Sequence, residues 1–384
     1  MIIAIPLAWL QLTREKLRLF VAVAGVAFAV ILIFMQLGFR KALFDSSTRL
    51  HEQLAGDLFL ISPQFDFLAQ PKSFSRRRLF QALGYPGVES VSPVYLGLAL
   101  WKNPDSGKSR PIFTVGVLPA DNAVTLPGVS EQMDLIRMPD VVLYDREGRP
   151  EFGDIAGPVA AGHPMAIEAN NRAITVGGLF EMGTSFGVDG TILTSDTNFL
   201  RLFPTREPGL IDVGLIRLQP GTDRVATRDG LRAQLPNDVL VLTRADYIQR
   251  EQTYWETSTP IGYVFTFGVI MGLVVGAIIV YQILFADVSD HLAEYATLKA
   301  MGYPNSYLFG VVFQEAIILA ALGYLPGLLI TVGLYRVAGD ATKLPMQMTG
   351  PLSVSVLLLA VVMCCVSGGI ALRKIRSADP AEIF

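Results

Sequence analysis

Apolar and polar residues divide this chain on two scales. On the coarse scale, four runs are apolar for long enough to cross a bilayer as helix, which takes about 20 residues: 19–39, 260–285, 306–335 and 352–372. Residues 40–259 contain no uncharged apolar stretch of that length, so they are expected to form a water-exposed domain with its own core. On the fine scale, this middle part carries runs of strand character at 57–61, 88–101, 112–118, 173–180, 191–194, 211–218 and 239–243. Gly, Pro, Asn and Asp separate them, as at Asn103-Pro104-Asp105 and across 183–190. That punctuation predicts an α+β domain rather than a helical one. Helical character at 39–54 and 245–256 adjoins the first and second apolar runs and predicts stalk segments that prolong them. The loop-rich stretch 119–164 is a candidate inserted subdomain.

A third pattern occupies 286–305, between the second and third apolar runs. Val288, Leu292, Tyr295, Leu298 and Met301 recur at helical spacing, while Asp287, Asp290, Glu294 and Lys299 take the other positions. This predicts a short amphipathic helix at the membrane surface that offers one face to a partner. A solvated connector explains the same charges without a partner.

The flanks give an orientation. Residues 1–18 hold Trp9 and the basic Arg14, Lys16 and Arg18 just before the first apolar run, which predicts a cytoplasmic, interfacial N-terminal helix. The small-x-small triplet Ala27-Phe28-Ala29 is followed by more apolar residues, and the run exceeds a signal-peptide core, so an uncleaved first span is expected. An outer loop at 336–351 precedes the fourth span, and the basic tail 373–384, with Arg373, Lys374 and Arg376, returns to the side of the N-terminus. Gly268, Gly272 and Gly276 lie on one face of the second span, where they permit close helix packing, although glycine is also simply common in such helices. Glu315, near the start of the third span, has two readings: a coupling carboxylate that pairs with the surface helix and transmits its motion, or an acid reaching for the headgroups.

Composition narrows the classes. The chain has 384 residues, 51% of them hydrophobic, and a mean hydropathy of +0.44, which suits part membrane and part soluble domain. A net charge of −3 without a basic run argues against nucleic acid as partner. Cys364 and Cys365 are adjacent inside an apolar run and make no disulfide framework, and His51, His163 and His291 have no ligand spacing, so no metal site is expected.

Two short motifs point to enzymes and fail their context. Gly107-Lys108-Ser109 has the end of a Walker A loop, but Lys102 stands where the first glycine belongs, so a polar hairpin turn is expected. Gly183-Thr184-Ser185-Phe186-Gly187 satisfies G-x-S-x-G, yet a turn and a strand-like run follow instead of a helix, and the one later histidine, His291, is expected across the membrane. The carboxylates Asp134, Asp140, Asp145, Glu147 and Glu151 single out no acid/base pair. No catalytic residue is expected.

Glu294-Tyr295-Ala296-Thr297-Leu298-Lys299-Ala300-Met301-Gly302 resembles the segment after the second transmembrane helix of FtsX/MacB-type ABC transporter permeases, Arg-Glu-Ile-Gly-x-Leu-Arg-Ala-Leu-Gly. Glu294, Leu298, Ala300 and Gly302 match, Lys299 and Met301 are near substitutions, and Ala293 and Ala296 depart from the family's Arg and Gly. The wording from Asp287 to Tyr303 is most similar to the DevC branch, the cyanobacterial heterocyst-type exporter permeases. The closing Asp379-Pro380-Ala381-Glu382 resembles the family's Asp-Pro-x-Glu ending.

The resemblance implies four transmembrane helices plus an extracytoplasmic α+β domain between the first and second. It implies that 286–305 is a coupling helix docking on a separate ABC ATPase through Asp287, Asp290, Glu294, Tyr295, Leu298, Lys299, Met301 and Gly302. Two copies of the permease are expected with two ATPase subunits, which bind the ATP and Mg; this chain binds no cofactor and is a transport subunit rather than an enzyme. The DevC-like branch further implies a periplasmic membrane-fusion protein, an outer-membrane channel and a lipid-like cargo such as a glycolipid. The setting it implies is a bacterial, cyanobacterial inner membrane with both termini cytoplasmic. The alternative is an FtsX-like signalling subunit that activates a periplasmic partner.

Overall fold

The computed structural model describes residues 7–372; the basic tail and the closing Asp-Pro-x-Glu motif lie outside the described residues. Two compact units emerge. Among the described residues, a helical unit comprises 7–41, Ile261–Asp340 and 346–372, and a sheet unit comprises Ala42–Pro260 and Ala341–Pro345.

The chain opens with α1 (Leu7–Arg14), then α2 (Lys16–Ser47), which contains the first apolar run and continues beyond it. A short helix, α3 (Arg49–Gln53), follows Thr48 and ends where Leu54 turns extended.

The sheet unit holds β1 (Leu58–Ile61), β2 (Phe74–Ser75), α4 (Arg77–Leu83), β3 (Val88–Lys102), β4 (Ser109–Val117), β5 (Val141–Asp145), α5 (Ala156–Ala160), β6 (Met165–Ala169), β7 (Arg172–Phe180), β8 (Thr191–Ser195), α6 (Asp196–Leu202), β9 (Leu210–Ile211), β10 (Val213–Leu218), α7 (Arg224–Gln234) and β11 (Leu240–Thr243). Nine strands form one mixed sheet in the order β11-β1-β10-β3-β4-β8-β5-β7-β6; β2 and β9 pair separately. β6 also pairs back to β3, Trp101 opposite Ala169, so part of the ladder closes on itself.

The two-residue period of a strand sorts the core. Phe59, Ile61, Val94, Leu96, Val213, Leu215 and Leu242 join one buried cluster, while Leu58, Leu60, Tyr95, Ile216 and Val241 join another. Both faces of these strands are covered, which is why β1 reads as a continuous apolar run rather than an alternation. The stretch 119–164, expected as an inserted subdomain, is instead woven into the sheet: β5 lies between β8 and β7. It escapes a sequence reading because Val141-Val142-Leu143-Tyr144 is too short to show a period.

After β11 comes α8 (Arg244–Thr253), started by a capping box in which Thr243 and Asp246 satisfy each other's backbone N–H. A π-helical turn, Tyr254–Ser258, follows. Then come α9 (Pro260–Asp290), α10 (Leu292–Ala300), α11 (Asn305–Thr342), unbroken through Pro326, and α12 (Gly350–Ala371). α2, α9, α11 and α12 are long and apolar enough to cross a membrane.

Candidate coupling site

The polar dip is shorter than its sequence pattern suggests. α9 runs on to Asp290, so Asp287 and Val288 belong to it; the surface helix proper is α10, separated by His291. Val288 and Tyr295 are buried in a cluster with Leu308, Val312 and Leu372, and Leu298 packs against it. One edge of α10 is therefore fixed to α9 and α11, while Ala293, Glu294 and Thr297 on the other edge are exposed. Two expectations are corrected. Met301 does not belong to the buried stripe but is 63% exposed, and Asp287 is not solvated but buried.

Gly302 has a backbone role. Its φ is +91°, its N–H donates to the Lys299 carbonyl, and the Tyr303 N–H donates to that of Leu298. This is a Schellman ending, which favours glycine because the left-handed region crowds a Cβ.

Charges then tie the start of the chain to this turn. Arg18 donates to Asp290 at 2.7 Å and pairs with Glu15 at 3.0 Å, and Arg14 lies 3.8 Å from Glu294. Asp287 Oδ1 is 3.6 Å from His291 Nδ1. Glu315 is fully buried in α11 and its carboxyl faces that of Asp287, an acid against an acid. It turns into the helical unit, so the headgroup reading is corrected; its neighbour is the end of α9 rather than α10. Arg14 and Arg18 were legible only as an orientation signal, because nothing in the sequence links them to positions more than 270 residues away.

The glycines of α9 meet α2. A Cβ at Gly272 would lie 3.2 Å from Ile33 Cγ1, one at Gly268 would strike Gln36, and one at Gly276 would strike Ala29 and Met363 of α12. Small residues here allow close backbone approach. A contact that the sequence did not suggest is Tyr335, whose hydroxyl donates to the Phe34 carbonyl beside Gly38.

The two enzyme-like motifs are turns. Residues 103–108 close the β3–β4 hairpin, where Asn103 Oδ1 accepts the N–H groups of Asp105 and Ser106 and Gly107 has φ +69°. In 183–187, Asp145 accepts the N–H groups of Met182 and Gly183, Arg49 donates to the Met182 carbonyl, and β8 follows. Burial pushes the Asp145 carboxyl up to about 6, against the N–H groups that favour its charge.

Four long apolar helices, an α+β domain between the first and second, and a short helix between the second and third define a multi-pass membrane protein with an inserted extracytoplasmic domain. The family model of the MacB-like periplasmic core domain matches residues 19–234, and that of the FtsX-like permease C-terminal region matches 266–380. The chain belongs to the FtsX/MacB-type ABC transporter permeases. It is 21% identical over 380 residues, covering 97% of both chains, to uncharacterized ABC transporter permeases of Mycobacterium bovis and Mycobacterium tuberculosis. It is also similar to the periplasmic region of MacB from Actinobacillus actinomycetemcomitans, at 12% identity and TM-score 0.37 over 52% of this chain and 94% of that one. The extracellular domain of YknZ from Gram-positive bacteria gives 12% and 0.35, over 49% and 99%.

Proposed function

We propose that this chain is the membrane subunit of an ABC exporter and that α10 with its flanking turns receives the movement of a separate ATPase. The observation that carries this reading is the two-sided character of α10. One edge is packed into α9 and α11 through Tyr295 and Val288, and the other presents Glu294, Thr297 and, just beyond the helix, Met301. A push on such a helix moves the helices it is fixed to, which is what coupling between distant sites requires. ATP and Mg belong to the ATPase partner. Two permease copies assemble with two ATPase subunits, and the termini and α10 share the cytoplasmic side. The likeness to the DevC branch favours a tripartite assembly with a membrane-fusion protein and an outer-membrane channel, moving a lipid-like cargo.

The test is affinity purification of the tagged, solubilised chain from its native membranes, beside a variant carrying Glu294→Lys and Met301→Asp. An ABC ATPase is expected with the native chain and absent from the variant. Its absence from the native chain under mild conditions, or equal recovery with both, overturns the coupling reading. A fusion protein in the eluate supports export; a cell-wall hydrolase in its place supports signalling.

A further inference from the structure

A buried acid and a buried imidazole meet in the sheet unit, at the two chain segments next to the first and second apolar helices. His51 of α3 is fully buried and Glu251 of α8 is 3% exposed, with His51 Nε2 3.6 Å from Glu251 Oε2. Glu251 accepts the Leu68 N–H on Oε2 and the Trp255 indole N–H on Oε1, each at 2.9 Å. One carboxyl thereby joins α3, the 62–70 loop, α8 and the π-helical turn that carries Trp255. Neither His51 ring nitrogen has a hydrogen-bond partner among the described residues.

Among the described residues, no cation neutralises this acid. Arg250 is next to it in sequence but donates to the Pro63 and Phe65 carbonyls, and Arg244 donates to those of His51, Glu52, Leu54 and Gly56. The other ionisable neighbour is Tyr247, with its ring 4.2 Å from that of His51 and its hydroxyl pushed well up by burial and by the charges of Glu251 and Asp212. Burial lowers His51 to about 3 and raises Glu251 to about 7. The imidazole is therefore neutral at ordinary pH, and the acid sits at the edge of ionisation.

We propose that His51 and Glu251 form a proton-operated latch that holds α3 against α8 and keeps the π-helical turn wound. In the closed state Glu251 carries its proton as a carboxylic acid beside the neutral His51 ring, 3.6 Å away. When that proton leaves to solvent, the pair passes from neutral to a single negative charge. The buried carboxylate then draws water, and the 62–70 loop and the turn at Trp255 loosen. π-Helical turns are rare and frequently lie at functional sites. The latch depends on neither the cargo nor the ATPase.

The test is hydrogen exchange of the full chain in phosphatidylcholine nanodiscs from about pH 5.5 to about pH 8.5, a window chosen to bracket the shifted acid, with labelling times scaled for intrinsic exchange. Peptides covering 62–70 and 247–259 are expected to lose protection about tenfold across the window, as one proton is released. Glu251→Gln, whose amide oxygen keeps the Trp255 acceptor but whose NH2 replaces the acceptor of the Leu68 N–H, cannot ionise and is expected to exchange without a pH transition at whatever protection it retains. Trp255→Phe removes a donor that favours the carboxylate, so its transition should move to higher pH. A native chain whose exchange is flat over the window, a Glu251→Gln variant with the native transition, or an unmoved midpoint in Trp255→Phe overturns the latch. The last comparison stands even if Glu251→Gln does not fold.

Discussion

Arg18 Nη1 holds Asp290 Oδ2 at 2.7 Å, joining the start of α2 to the last residue of α9. Asp290 is half exposed, so this pair contributes only about 0.2–1 kcal/mol to stability. Its consequence is positional: α1 and α2 are registered against the turn that leads into α10. Arg18→Glu is expected to leave the thermal midpoint nearly unchanged while reducing ATPase recovery in purification, and Arg18→Glu with Asp290→Arg to restore it. A single variant that retains the ATPase fully would show the pair to be incidental.

Gly276 tests the packing of α9. A side chain there must displace Ala29 and Met363, so Gly276→Leu is expected to cost about 1–3 kcal/mol through overpacking. Gly369 in α12 has nothing within 4 Å of an added Cβ, and Gly369→Ala should be neutral or stabilising by up to about 1 kcal/mol. Thermal midpoints of the two variants in detergent decide the matter; equal shifts would mean that the α2–α9 contact is loose.

Gly302 has open space around it, so the cost of a substitution is conformational alone. Gly302→Ala is expected to cost about 1–2 kcal/mol from the left-handed φ, and Gly302→Asn less. The loss should appear as faster exchange of the Gly302 and Tyr303 amides, which close the end of α10. Unchanged exchange in Gly302→Ala would contradict the Schellman ending.

Stability should vary with pH through His51 and Glu251 in opposite senses. Glu251 is raised from 4.5 to about 7, so the folded chain keeps a proton that the unfolded chain releases. Its contribution is fully present below pH 4.5 and is lost as pH rises through about 7. His51 is lowered from 6.5 to about 3, so the unfolded chain binds a proton that the folded chain does not. Its contribution is fully present above pH 6.5 and is lost as pH falls through about 3. Between 4.5 and 6.5 the two slopes cancel, and stability is expected to be level there and to fall on either side. Glu251→Gln should remove the alkaline fall and, with the His51 slope no longer offset, let stability rise up to about pH 6.5. A native midpoint that climbs through neutral pH would contradict the buried, unneutralised acid.

Much of the architecture was legible because length and period are local properties. The four apolar runs announce themselves by length, and strands such as β3 and β7 by apolar residues between turn-formers, so the insertion of an α+β domain between the first two helices could be read directly. Gly302 was legible as a residue in a motif, and its φ gives the reason it stands there.

What depends on distant partners needed the tertiary structure. β5 joins the sheet only because β7 and β8 flank it, so residues 119–164 looked like a separate piece. Asp287 reads as a solvated charge on a helical wheel, yet the continuation of α9 and the approach of α11 bury it against Glu315. Met301 shares the apolar spacing, but the Schellman turn swings it out of the stripe. His51 and Glu251 stand 200 positions apart with nothing local to distinguish them. Periodicity records which face of an element is apolar; only folding decides what that face meets, and an ionisable group takes its chemistry from what it meets.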